Sequence, residues 1–193
     1  MKYFLKKNKN VIIGMSLFAF MLTVDIVSKR LVDNLMDRWE SIAVIPGIFN
    51  FYFTTPNTGA AFGLFGNSPA ARIVFIIISI IAILALGFGL IKYGDKSKVL
   101  SIGLSLIMAG ALGNAIDRIF TGEVIDFIEF DFWKSFPVFN FADVAVILGI
   151  IFFAVYLIFI YKEPKKEDFR ESKTEDSSKE SEELKKNAEE EII

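Results

Sequence analysis

One apolar run constrains this chain more than any other feature of its sequence. Residues 73–91 are apolar or small, and only Ser79, Gly87 and Gly89 break the run. At about 1.5 Å of rise per residue, a helix of this length crosses a hydrocarbon core of about 30 Å. A helix that is apolar on every face suits a bilayer better than a water-exposed surface. The run therefore predicts a transmembrane helix.

Three further apolar segments are shorter or carry polar residues near one end. Together with the first run they predict four spans, at about residues 11–31, 70–92, 98–119 and 139–161. Residues 32–69 and 120–138 would then form two outer loops, and the first is too long to be a simple connector. The predicted fold class is an all-α membrane protein with four transmembrane helices, whose membrane domain comprises residues 1–162.

Basic residues give the predicted helices a direction. Three groups of lysines precede the first span, separate the second from the third and follow the fourth: Lys2, Lys6, Lys7, Lys9, Lys92, Lys96, Lys98, Lys162, Lys165 and Lys166. Because loops rich in Lys and Arg stay cytoplasmic, both termini are expected in the cytoplasm. The polar residues that interrupt the spans then all lie at the outer side: Asp25, Asn114, Asp117, Asn140 and Asp143.

The two ends of the sequence require separate interpretations. A basic stretch followed by an apolar run is also the pattern of a cleaved secretory signal. Thr23, Val24 and Asp25 make a poor cleavage site, so we expect the first segment to be retained as a membrane helix. Residues 163–193 are rich in Glu, Lys and Ser, and we expect them to form a charged, disordered cytoplasmic tail with no assigned function.

The amino-acid composition narrows the chemistry that this chain can perform. Its 193 residues include neither Cys nor His. Disulfides, thiol nucleophiles, histidine bases and Cys/His metal sites are therefore excluded, and no cofactor is expected. The net charge of -2 provides no electrostatic footprint for nucleic acid. Any reaction must use carboxylates, hydroxyls, amides, Lys, Arg or Tyr.

The outer loops combine aromatic residues with turn-forming residues. Residues 48–53, IFNFYF, favour a short strand. With the glycine-containing segment that follows, this strand would form either a small β-cradle for an extended peptide or lipid head group, or a structured interfacial loop. Residues 120–137 alternate acidic with aromatic side chains, which predicts an amphipathic loop or helix at the membrane interface.

Two polar groups lie at the outer ends of the first and third spans. Asp25 and Lys29 share a helix face at i, i+4 and can form an ion pair. Asn114, Asp117 and Arg118 share faces of the third span, and the small residues just before them permit close helix packing. A structural ion pair and a polar clasp between helices explain these groups at least as well as direct chemistry does.

The fourth span begins with a different polar pair. Asn140 and Asp143 are spaced as a helix N-cap and an acid three residues later, which is related to the capping box. Capping alone does not explain several acids at one membrane depth, where ionisable residues indicate function. Two carboxylates that share one proton would be the most economical catalyst. Asp143 would be mainly the base, and spacing leaves its partner open between Asp117 and Asp126.

Five motifs occur in the order that is typical of the bacterial lipoprotein signal peptidases, or signal peptidase II. They are Asp25-x-x-x-Lys29, NTGAAFG at 57–63, GALGNAIDR at 110–118, EVIDFI at 123–128 and FNFAD at 139–143. The chain resembles this family over residues 11–162. Two departures keep a small residue, since Ala109 and Ser28 stand where many members carry Gly and Thr.

The resemblance implies an aspartic endopeptidase of the bacterial cytoplasmic membrane, with an outer β-cradle and an active site near the outer leaflet. Such enzymes remove signal peptides from prolipoproteins before a diacylglyceryl-modified cysteine. The resemblance maps the catalytic pair to Asp126 and Asp143. It implies pocket or supporting roles for Asp25, Lys29, Asn57, Gly59, Asn114, Asp117, Arg118 and Asn140. The implied partners are lipid-modified prolipoproteins, membrane lipids and cyclic peptide inhibitors of the globomycin type.

Two other function classes fit parts of the pattern. A proton-coupled transporter or channel also uses carboxylates and a lysine within the membrane. However, the acids cluster at one interface and leave no polar path to the other side. A structural subunit would use all the acids as caps and ion pairs. Replacing Asp126 or Asp143 by Asn distinguishes these classes from a peptidase, because only a peptidase loses peptide cleavage.

Overall fold

The computed structural model describes residues 8–54, 57 and 69–161, and its helices confirm the predicted fold class. The four long helices are α1 (Lys9–Leu35), α2 (Pro69–Tyr93), α3 (Lys98–Phe120) and α4 (Phe141–Val155). A short 3-10 turn, Gly94–Lys96, follows α2, and α4 continues as a π-helical turn, Tyr156–Ile160. All four helical segments are long and apolar enough to cross a membrane. The expected tail, residues 163–193, lies outside the described residues.

Helix α3 lies at the centre of the bundle and contacts each of the other three helices. About 61% of its most apolar stretch is buried within the protein, against 6 to 11% for the other spans. Small residues make this central position possible. Gly110 lies so close to the backbone carbonyl of Ala142 that a Cβ atom would overlap it, and a Cβ at Gly149 would lie 2.7 Å from the Ile107 nitrogen. The predicted close packing of this segment is confirmed.

A three-stranded antiparallel sheet is formed by the two outer loops. Its strands are β1 (Ser41–Ile45), β2 (Phe49–Tyr52) and β3 (Ile128–Phe130), in the order β1-β2-β3. Strand β2 confirms the strand predicted within residues 48–53, whereas β1 had not been predicted. The second loop differs from its helical alternative: within residues 121–140, all of which the structure describes, there are turns, two isolated bridges and β3 but no helix. Alternation of acidic and aromatic residues also fits the two-residue period of a strand.

An apolar cluster joins the C-terminal end of α1 to the two loops. Its buried members are Val32, Met36, Phe53, Ile125, Phe127 and Ile128. Two of them, Ile125 and Phe127, immediately flank Asp126. Because both flanking side chains are anchored in this cluster, the segment that carries Asp126 has a defined position above the helices.

Candidate active site

Asp143 lies in the first turn of α4, where it forms a reciprocal capping box with Asn140. The Asn140 side chain accepts a hydrogen bond of 3.0 Å from the Asp143 backbone N–H, and Asp143 Oδ2 accepts one of 3.1 Å from the Asn140 backbone N–H. These bonds confirm the capping relationship predicted from the spacing. They satisfy two backbone donors at the helix start and place a carboxylate where the helix dipole favours negative charge.

Asp126 approaches the same region from the second outer loop. Its side chain is buried, and two amides donate hydrogen bonds to it: Asn140 Nδ2 to Oδ1 at 2.7 Å and Asn57 Nδ2 to Oδ2 at 3.1 Å. Asn57 is itself held by a backbone bridge to Val124, with N–H···O distances of 3.0 and 2.9 Å. Both outer loops therefore contribute to the position of this carboxylate.

The pKa of Asp126 is raised to about 7, first by burial and then by the charge of the nearby Asp143 carboxylate. Three groups oppose these effects: the hydrogen bond from Asn57, the charge of Lys29 and the hydrogen bond from Asn140. Burial prevails because it disfavours the charged form of an acid. Near neutral pH, Asp126 thus exists substantially as a neutral acid that can donate a proton.

Two asparagine amides connect the carboxyl groups of Asp126 and Asp143. Asn114 Nδ2 donates to Asp143 Oδ1 at 2.9 Å, and Asn114 Oδ1 accepts from Asn140 Nδ2 at 3.1 Å. Since Asn140 also donates to Asp126, the amides form a continuous hydrogen-bonded bridge between the two acids. Such a bridge restricts the side-chain rotamers of both acids relative to each other.

Lys29 occupies the centre of the polar network beneath this bridge. Its ammonium lies 2.8 Å from Asp25 Oδ2 and 2.9 Å from Asp117 Oδ2, and it donates to Asn114 Oδ1 at 3.0 Å. Asp25 Oδ1 in turn accepts a bond of 2.9 Å from the backbone N–H of Ala142. The ion pair predicted between Asp25 and Lys29 is confirmed, and it extends to a triad that links α1, α3 and α4.

The two candidate partners of Asp143 have different surroundings. The Asp117 carboxylate is directed at Lys29 and also accepts a long bond of 3.5 Å from the Ile125 backbone N–H. Asp126 instead faces the same cavity as Asp143. Spacing along the chain left this choice open because Asp117 and Asp126 belong to different elements, whose relative position depends on the loop fold.

A cavity of about 510 Å³ contains both Asp126 and Asp143 in its wall. Among the described residues, the other polar side chains of the wall are Asn57, Asn114 and Arg118. Arg118 Nη1 donates to the backbone carbonyl of Asn114 at 3.2 Å, and the guanidinium of Arg118 lies 5.4 Å from the centre of the Phe75 ring. The remaining wall residues that the structure describes are apolar: Val124, Phe130, Phe136, Pro137, Val138, Phe139, Val144, Val146, Ile147 and Leu148. This arrangement suits an apolar ligand that has one reactive polar group.

Nine of the ten predicted site residues lie in this cavity wall or in the network beneath it, and the tenth, Gly59, lies outside the described residues. The apolar wall had not been predicted. Pro137, Ile147 and Leu148 have no local pattern that separates them from lipid-facing or loop residues, so no sequence signal identified them.

Comparison with known proteins shows a family relationship. A profile described as "Signal peptidase (SPase) II" matches residues 17–159. The chain is 38% identical over 142 residues to the lipoprotein signal peptidase of Geobacter metallireducens, which covers 72% of this chain and 86% of that protein. It is 37% identical over 154 residues to the lipoprotein signal peptidase of Staphylococcus aureus strain JH9, which covers 78% of this chain and 92% of that protein.

Two solved structures are similar to this chain, and both are described as bacterial membrane enzymes determined by the in meso method. The structure at 2.3 Å resolution has a TM-score of 0.69 and 34% identity, and the match covers 79% of this chain and 93% of that one. The structure at 1.9 Å resolution also has a TM-score of 0.69, with 35% identity and coverage of 77% and 94%. Each match therefore covers more than three quarters of this chain.

Proposed function

This chain belongs to the signal peptidase II family of lipoprotein-processing membrane proteases, and from that premise we propose that it cleaves prolipoproteins with Asp126 and Asp143 as a catalytic pair. The observation that carries the proposal is that these two carboxyl groups share one cavity wall and are connected through the amides of Asn114 and Asn140. Asp117 is instead paired with Lys29, which supports a structural role for it.

In the proposed reaction, the Asp143 carboxylate takes a proton from water as the water oxygen bonds to the scissile carbonyl carbon. The neutral Asp126 simultaneously gives its proton to the carbonyl oxygen, which yields a tetrahedral gem-diol. Asp143 then delivers its proton to the leaving nitrogen while Asp126 regains one from a hydroxyl, and the C–N bond breaks. The proton belongs to the pair, and the burial that raises the pKa of Asp126 favours Asp126 as its holder before water attacks.

The amides and the buried ion-pair network would hold this pair in place. Asn57, Asn114 and Asn140 orient the carboxyl groups directly. Lys29 acts indirectly, through its hydrogen bond to Asn114. Asp25 holds the start of α4 by accepting a hydrogen bond from the backbone N–H of Ala142. Rigid placement of the reacting groups is itself a large part of catalysis, since misplacement by about 1 Å can reduce a rate about 100-fold.

The proposed substrate is a prolipoprotein that is cleaved just before a diacylglyceryl-modified cysteine. The apolar wall supports this substrate class, because most of the cavity surface is formed by aliphatic and aromatic side chains. Part of that wall belongs to α4, a candidate membrane span, and includes the exposed Ile147 and Leu148. Cyclic peptide inhibitors of the globomycin type are proposed to occupy the same cavity.

The chain is a multi-pass bacterial membrane protein, and we propose that its active site faces the outer leaflet with both termini cytoplasmic. Lys92 in the last turn of α2, Lys96 in the connection and Lys98 at the start of α3 support this direction. All three lie at the end of α3 opposite Asp117 and Arg118. A loop with this excess of lysine is retained in the cytoplasm.

Cleavage of a purified, lipid-modified prolipoprotein in detergent tests the catalytic assignment. Asp126→Asn and Asp143→Asn should each reduce turnover by at least about 10³-fold, since each removes one proton-transfer role. Glu123→Gln is the matched control: Glu123 lies in the same loop as Asp126 and, among the described residues, is not one of those that line the cavity. Full turnover by Asp126→Asn or Asp143→Asn would refute the assignment.

A further inference from the structure

Arg72 lies in the first turn of α2, on the outer side of the membrane, where the sequence places few basic residues. Its guanidinium bonds to the end of another helix. Nε donates to the Arg118 carbonyl at 2.8 Å, and Nη2 donates to the Ile119 carbonyl at 3.3 Å. Arg72 thus connects the beginning of α2 to the last turn of α3.

The carbonyls that Arg72 binds are among those that lack partners within α3. The last four carbonyls of any helix have no N–H further along the helix to accept from, and a cation near them also opposes the helix dipole. The backbone N–H groups of Thr121 and Gly122 both donate to the backbone carbonyl of Asp117, at 2.8 and 3.2 Å, and these bonds end the helix. Arg72, which belongs to α2, therefore donates hydrogen bonds to two of the last carbonyl groups of α3.

Arg72 also lies directly against the turn that follows. Gly122 has a φ of +90°, a conformation that favours glycine, and a Cβ at this position would lie 2.7 Å from Arg72 Nη1. From Gly122 the chain passes to Val124, which bridges Asn57, and then to Asp126. The same short connection thus begins beneath the guanidinium and ends at the cavity.

We infer that Arg72 is a positioning residue for the catalytic pair: by fixing the end of α3 and the Gly122 turn, it holds Asp126 against the amides of Asn57 and Asn140. The inference rests on the proposed catalytic role of Asp126. Arg72 acts through the backbone of the connection and contacts neither carboxyl group in the described hydrogen bonds. Loss of Arg72 would lengthen the hydrogen bonds that the Asn57 and Asn140 amides donate to Asp126. These bonds stabilise the ionised form of Asp126, so that form would be weakened.

The test compares Arg72→Gln with Arg30→Gln in the detergent-solubilised full chain. Arg30 is an exposed arginine at the outer part of α1, with a distant contact of 4.0 Å to Asp33, and it controls for loss of an outer-side positive charge. Arg72→Gln should lower kcat about tenfold or more, with KM within about twofold, because alignment and not substrate binding is lost. The alkaline limb of its pH profile should move to higher pH. Arg72→Lys should recover part of kcat, since an ammonium supplies the charge without the planar fork.

The variant Gly122→Ala should misalign Asp126 in the same way as Arg72→Gln. The alanine Cβ disturbs the turn and its contact with Arg72. If Arg72 acts through this turn, the Arg72→Gln/Gly122→Ala double variant should be no slower than the slower single variant. Losses that multiply would overturn the inference, as would a kcat and pH profile of folded Arg72→Gln equal to those of Arg30→Gln.

If Arg72→Gln folds poorly, Arg72→Lys becomes the variant that tests the positioning role. A folded Arg72→Lys protein with the unaltered kcat and pH profile would contradict the inference, and reduced kcat with a displaced alkaline limb would support it. Asp126→Asn in the same assay separates this result from failure of the catalytic assignment. If Asp126→Asn retains turnover, the assignment itself is wrong; if only the Arg72 variants are normal, the positioning role alone is wrong.

Discussion

The side-chain amide of Asn140 donates a hydrogen bond of 2.7 Å to Asp126, which lies in the loop between α3 and β3. The same asparagine caps α4 and thereby holds Asp143. One buried residue thus connects an outer loop, a transmembrane helix and both acids. Its two roles can be separated by experiment.

Asn140→Ala should reduce both stability and catalysis. Removal of an N-cap destabilises a protein by about 1 kcal/mol, and removal of the amide also releases Asp126 and Asn114. We expect kcat to fall about 100-fold from misalignment. Thermal unfolding and prolipoprotein cleavage measure the two effects. Ser97→Ala is the matched control, because Ser97 caps α3 at the opposite end of the bundle. The Ser97→Ala variant should lose stability but keep its kcat. A loss of kcat equal to that of Asn140→Ala would contradict the role of Asn140.

The pH dependence of kcat/KM follows from the raised pKa of Asp126. In the proposed reaction its neutral form donates the proton, so activity should fall as the pH rises through about 7. Asn57→Ala removes a hydrogen bond that lowers this pKa, and the alkaline limb should therefore move to higher pH. Initial rates from about pH 5 to 9 measure the limb. A shift to lower pH in Asn57→Ala would contradict the assigned proton donor.

Lys29→Met should be the most destabilising of these changes. It leaves the carboxylates of Asp25 and Asp117 buried without their cation, and breaking a buried ion pair on one side costs about 3–5 kcal/mol. Thermal unfolding in detergent measures the loss. Lys134→Met provides the control, since Lys134 pairs with Glu129 and Asp131 on the exposed surface, where ion pairs add little stability. Equal Tm values for the two variants would show that the buried triad is not a stabilising centre.

Hydropathy and short-range spacing predicted much of this fold for physical reasons. A bilayer requires continuous apolar helices, so the four spans were evident from the sequence. The capping box between Asn140 and Asp143 depends on residues three positions apart, and the pair of Asp25 with Lys29 depends on one helix turn. Each of these relationships is determined within a single element.

Contacts between distant elements could not be predicted in this way. Spacing did not choose between Asp117 and Asp126, because that choice depends on how the second outer loop folds back over the helices. Strand β3 was expected as part of an amphipathic loop or helix, since its pairing with β2 lies about 80 positions away along the chain. No sequence pattern identified Arg72, because its partners are backbone carbonyls at the end of α3, whose position relative to α2 depends on the fold.

A double-mutant cycle on Asp126 and Asp143 tests the central claim most directly. Single-turnover cleavage of a lipid-modified prolipoprotein is measured for Asp126→Asn, Asp143→Asn and the double variant, and retained binding of a globomycin-type peptide verifies the cavity in each. Two residues that share one proton act as a unit, so each single variant should be nearly as slow as the double variant. Full activity in either single variant, or a double variant slowed by the product of the two single effects, would contradict the catalytic pair.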